Sequence, residues 1–64
     1  LGDHKGTIND YSKAIELNPN SANYYFFRAF AYFDQKDIGN GCQDLDNASK
    51  LGANTSKEME KHCS

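Results

Sequence analysis

Sliding this 64-residue chain along itself by 34 positions brings like residues onto like. Asp3 falls on Asp37, Asp10 on Asp44, Ala14 on Ala48, Leu17 on Leu51 and Asn20 on Asn54. Ile8 with Cys42, Asn9 with Gln43, Tyr11 with Leu45, Ser21 with Thr55 and Tyr25 with Met59 are matches in kind. The apolar matches recur three or four apart, which is the spacing of one helix face. "KGTINDYSKAIEL" and "GNGCQDLDNASKL" therefore read as two copies of one helix. Self-similarity at such a period is the mark of stacked helical or mixed repeats, whose units bury their faces against neighbours and not within themselves.

Punctuation between the copies sets the helix ends. Proline disfavours the α conformation in the residue before it, so the first helix stops at Asn18-Pro19. We expect all-α architecture with helices over His4 to Leu17, Ala22 to Asp34, Ile38 to Leu51 and Ser56 to Cys63. Ser21 and Asp37 are placed to cap the second and third by accepting a backbone N–H. "TSKE" (Thr55 to Glu58) has the capping-box pattern, and Gly52 sits where helices end in the left-handed conformation. Gly39 and Gly41 cut against a helix, at about 1–2 kcal/mol together relative to Ala. For Gly41 we expect close packing against Ala29 as the reason.

Charge and length exclude several classes. The formal net charge is −2, with Lys and Arg scattered singly and no basic stripe, which argues against nucleic acid and acidic membrane as partners. No apolar run approaches a membrane span. A chain of 64 residues makes one domain with a modest core. It opens at Leu1 and not Met, so we expect it to be cut from a longer protein; a cytoplasmic and an exported bacterial setting are both open.

At this point the chain resembles the tetratricopeptide repeat (TPR) family, whose unit is two antiparallel helices. Thr7, Tyr11, Ala14 and Pro19 match the family's second-helix pattern, and "DYSKAIELNPN" is similar to a common wording of that helix and its turn. In the following unit Tyr25, Arg28, Ala29 and Tyr32 fall on the first-helix sites, and Gly41, Leu45, Ala48 and Ala53 on the second-helix sites. The departures are Arg28 for Leu, Ala53 for Pro, and Lys36 for the usual Gly between helices. The resemblance implies an α-solenoid fragment: 1–19 as the second helix of a repeat, 22–53 as a full repeat, and 55–63 as a C-terminal capping helix. The ending is similar to that of bacterial members in which a Cys-bearing repeat precedes a short cap.

The resemblance further implies a non-enzymatic scaffold that binds a protein or peptide in a groove lined by first helices. By the family's geometry the groove side is Asn23, Phe26, Phe30 and Phe33, with Lys57 and Lys61 on the last helix. Two occupants compete for the phenylalanines: a preceding helix of the solenoid, which we favour, and an apolar or proline-rich ligand. A clamp for an acidic C-terminus is not expected, because Phe27 stands where that clamp has Asn and the two lysines alone agree.

The second class of function is a small Cys/His metal or redox site, drawn from His4, Cys42, His62 and Cys63. A zinc site needs three or four ligands at usable spacing, and a Cys nucleophile needs an oriented His. Adjacent His62 and Cys63 point in different directions on a helix. We therefore expect no metal and no cofactor. By the repeat offset Cys42 matches Ile8 and Cys63 matches Ala29, both inward sites. A hairpin at Gly52 to Thr55 then brings the two cysteines together, either as a disulfide staple or as thiols packed as small hydrophobes; we favour the staple. Finally, Ile8, Tyr11, Ala14 and Ile15 need cover on two sides, so we expect self-association through the first helix.

Overall fold

The computed structural model describes residues 4–63, His4 by its backbone alone, so the Asp3 half of one repeat match lies outside the described residues. Among the described residues the chain forms four helices: α1 (His4–Leu17), α2 (Ala22–Asp34), α3 (Ile38–Lys50) and α4 (Ser56–His62). No strand is present among them. α2 packs against both α1 and α3, and α4 packs against α3. The register is antiparallel. Phe33 of α2 meets Gly41 of α3, while Arg28, further back on α2, meets Asp44, further on along α3. Turns of a few residues leave no other arrangement within reach.

Two helices end in the same way. In each, the residue after the C-cap turns left-handed and the next two free N–H groups bond back into the last turn. After α2 the left-handed residue is Lys36 (φ 63°), with Lys36 N donating to Phe33 O at 2.9 Å and Asp37 N to Tyr32 O at 2.9 Å. After α3 it is Gly52 (φ 107°), with Gly52 N donating to Ser49 O at 3.0 Å and Ala53 N to Ala48 O at 2.9 Å. The expectations for Leu51 and Cys63 are off by one residue, since both are C-caps and not helical.

The N-terminal caps divide. Asp37 caps α3 as expected, accepting from Asn40 N at 3.5 Å and from Asn40 Nδ2 at 2.7 Å. Ser21 makes no side-chain cap bond; its carbonyl accepts from Tyr24 N at 3.2 Å instead. Thr55 likewise makes none, and the expected capping box does not form at its hydroxyl. Thr55 is turned inward and buried, and Asn54 Oδ1 accepts from Ser56 N at 3.3 Å in its place.

The core lies between α2 and α3 and is built from small residues. Ala29, Ala31, Leu45, Ala48 and Gly41 are buried, and Leu45 is the largest fully buried side chain among the described residues. Gly41, Asp44, Leu45 and Ala48 recur three, one and three apart, so they share one face of α3. The close neighbour of Gly41 on α2 is Phe33. The ring of Phe33 lies where a Cβ on residue 41 would stand. Gly41 is thus the seat of an aromatic ring.

Candidate binding surface

α2 reads "ANYYFFRAFAYFD", with aromatic residues on nearly every side. A helix apolar all round is ordinarily buried; this one packs chiefly against α1 and α3, and the His62 ring of α4 stacks on its Phe33. Its rings sort accordingly. Tyr24 and Phe27 turn towards α1 and meet Tyr11, at centroid distances of 6.2 and 6.0 Å. Phe26 adjoins Phe27 at 6.2 Å and Phe30 at 5.1 Å. The rings from Tyr24 through Tyr11, Phe27 and Phe26 to Phe30 thus form one connected row. Phe27 remains 47% exposed and Phe30 37%. The described residues enclose no pocket, so this is an open surface.

The groove residues named from the sequence have different settings here. Asn23 is exposed, and Phe26 and Phe30 touch each other. Phe33 continues their helix face but is covered: the His62 ring stacks on it at 4.1 Å and 17°. Lys57 and Lys61 are exposed on α4. Phe27, considered from the sequence only as a mismatch to a clamp, is the most exposed ring of the row. Its position three residues after Tyr24, facing the α1 aromatic, was the available signal.

Arg28 is the second feature missed. It stands where an apolar residue was expected and is nonetheless largely covered, with 17% of its side chain exposed against 4% for Asp44. Its Nε donates to Asp44 Oδ2 and its Nη2 to Asp44 Oδ1, both at 2.7 Å, while Nη1 donates to Ser12 Oγ at 2.9 Å. The paired geometry is the strong form of the carboxylate–guanidinium contact. Tyr25 and Tyr32 flank the guanidinium at 5.6 and 5.8 Å, within cation–π range. The hydrogen bond to Asp44 raises the Arg28 pKa above its ordinary value, burial opposes this, and the Asp44 charge adds to the rise. One side chain thereby joins α1, α2 and α3. All its directed partners are internal, which makes it a structural tie.

Cys42 and Cys63 are joined in a disulfide with Cα atoms 5.8 Å apart. Cys42 Sγ also lies 3.8 Å from the His62 carbonyl oxygen, but a half-cystine has no proton to donate, so this is packing only. Among the described residues no group of three His, Cys, Asp or Glu side chains could hold a metal, and the His4 side chain lies outside them. Among the described residues no helix is long and apolar enough to cross a membrane.

Helical hairpins stacked on small residues, repeating at 34 positions, are matched by one family model: that of the TPR repeat, over residues 1–36. The chain belongs to the TPR repeat family. The match spans α1, α2 and the turn at Lys36. No curated protein and no solved structure matches the chain. TPR repeats generally mediate protein–protein interactions, and the family is typically a non-enzymatic scaffold.

Proposed function

We propose that this TPR chain binds an apolar segment of a protein partner on the side of α2 that carries Asn23, Phe26 and Phe30, with Phe27 at its edge. One observation carries the reading: a connected row of rings left open at Phe27 and Phe30 on a helix packed chiefly against α1 and α3. Exposed aromatic surface of this kind marks association sites, and aromatic anchors dominate peptide recognition. Asn23 supplies an amide beside the rings. Lys57 and Lys61, exposed on α4, would meet acidic residues flanking the bound segment. In this reading 1–19 is the second helix of one repeat, 22–53 a full repeat and 55–63 the cap.

A peptide library displayed on phage and selected on the intact chain tests it. The expected result is enrichment of apolar or proline-rich peptides whose affinity drops at least about ten-fold in Phe30→Ala, the scale of losing one aromatic anchor. Selected peptides indifferent to Phe30→Ala and Phe26→Ala would sink the reading. A second interaction has its own support. Ile8, Tyr11, Ala14 and Ile15 all remain half-buried, with α2 on one side of α1. We propose self-association through that stripe. Light scattering at rising concentration should show a dimer that Ile8→Glu disperses; a monomer throughout rejects it.

A further inference from the structure

We infer that α4 is a redox-released cap over the end of the aromatic row; the inference rests on the peptide-binding reading above. α4 has seven residues and none of them is buried. A helix that short does not persist in water by itself. Among the ties that hold it are the buried Thr55 at its start, the His62 ring on Phe33, and the Cys42–Cys63 bond. The last two lie together at its C-terminal end. The covalent tie therefore acts at the point where α4 covers an α2 ring.

Phe33 lies three residues after Phe30 and seven after Phe26, on the same helix face. Of these three rings it is the one stacked beneath another helix. Both half-cystines are partly exposed, and reduction of such a bond proceeds by thiolate attack on one of its sulfurs. With a dithiol as reductant, one thiolate attacks a bridging sulfur and the Cys42–Cys63 bond breaks. The second thiolate then resolves the mixed disulfide. Cys42 and Cys63 take up two protons and leave as thiols, and the reductant leaves as its cyclic disulfide. α4 then loses its anchor, His62 lifts, and the outer face of Phe33 opens beside Phe30. The oxidised chain offers the row as far as Phe30; the reduced chain offers one ring more to the same apolar segment.

Amide hydrogen exchange on the chain before and after dithiothreitol tests this. A thiol count on the denatured, unreduced protein comes first: no free thiols is the expected result, and two free thiols overturn the inference. On reduction, the amides of residues 56–62 should exchange at least about ten-fold faster while those of α2 change less than about two-fold. Unchanged α4 amides, or loss of protection throughout the chain, overturn it. The Cys42→Ser/Cys63→Ser double variant must behave as the reduced chain without reductant. Fluorescence of 8-anilinonaphthalene sulfonate should rise on reduction and lose that rise in Phe33→Ala; a rise that persists shows that some other surface opens. The two readings fail separately. Released α4 with peptides indifferent to Phe30→Ala defeats the binding reading alone, and protected α4 with Phe30-dependent peptides defeats the cap alone.

Discussion

α1 and α3 are copies of one helix by the repeat offset, yet they occupy unlike surroundings. In α3, Gly41, Asp44, Leu45 and Ala48 are buried. Their counterparts in α1 are Thr7 and Asp10, both exposed, and Tyr11 and Ala14, both half-buried. Two of the four pairs, Asp10 with Asp44 and Ala14 with Ala48, are identical. What differs is cover: α3 lies between α2 and α4, whereas α1 has α2 as its packed neighbour. Burial in a repeat protein is conferred by neighbours, so one helix sequence can be core in one copy and surface in the next.

The apolar pair offers one large test of the comparison. Leu45→Ala should cost about 2–5 kcal/mol, because the site is closed on every side. Tyr11→Ala should cost about half as much, since its ring is part solvated. Urea unfolding measures both, and equal costs would erase the distinction between the copies.

The acidic pair offers the next test. Arg28→Leu restores the residue expected from the repeat pattern but strands Asp44 in the core, at about 3–5 kcal/mol. Adding Asp44→Leu should recover most of that loss, because two apolar residues often replace a buried ion pair without penalty. Asp10→Leu on the exposed copy should change stability by less than about 0.5 kcal/mol. A double-mutant cycle showing no coupling between residues 28 and 44 contradicts the tie.

Within α3 itself, substitutions two residues apart should differ in sign. Gly41→Ala pushes a methyl into the Phe33 ring and should cost about 1–3 kcal/mol. Gly39→Ala meets open space and should gain about 0.5 kcal/mol from helix propensity. A further pair of variants concerns the two left-handed turns. Lys36→Gly should stabilise by about 1 kcal/mol, and Gly52→Ala should destabilise by a similar amount. Thermal melts of the four variants rank these directly.

Much of the fold was legible because its signals are local. Pro19, Asp37 and Gly52 each act on the backbone within a turn, and the helix bounds read from them hold to within one residue. The caps at Ser21 and Thr55 were not legible. Whether a hydroxyl turns to the helix end or into the core depends on the path of the incoming loop. Arg28 was read as a departure because its partner lies 16 residues away on another helix. A lone cation inside "YYFFRAFAYF" is itself the clue that a buried carboxylate must be sought. The aromatic row was half legible: helical spacing gave Phe26 and Phe30 their common face, but the cover over Phe33 comes from α4, which no period on α2 encodes.

The bond between Cys42 and Cys63 also makes a closed ring of the chain from residue 42 to residue 63. Lys50, Lys57 and Lys61 all lie within that ring, and all are exposed. A trypsin cut at any one of them opens the circle without dividing the molecule. Such a nicked chain would run as one species on a gel without reductant and as two with it. A single cut at any of these lysines would thus leave the two pieces covalently attached.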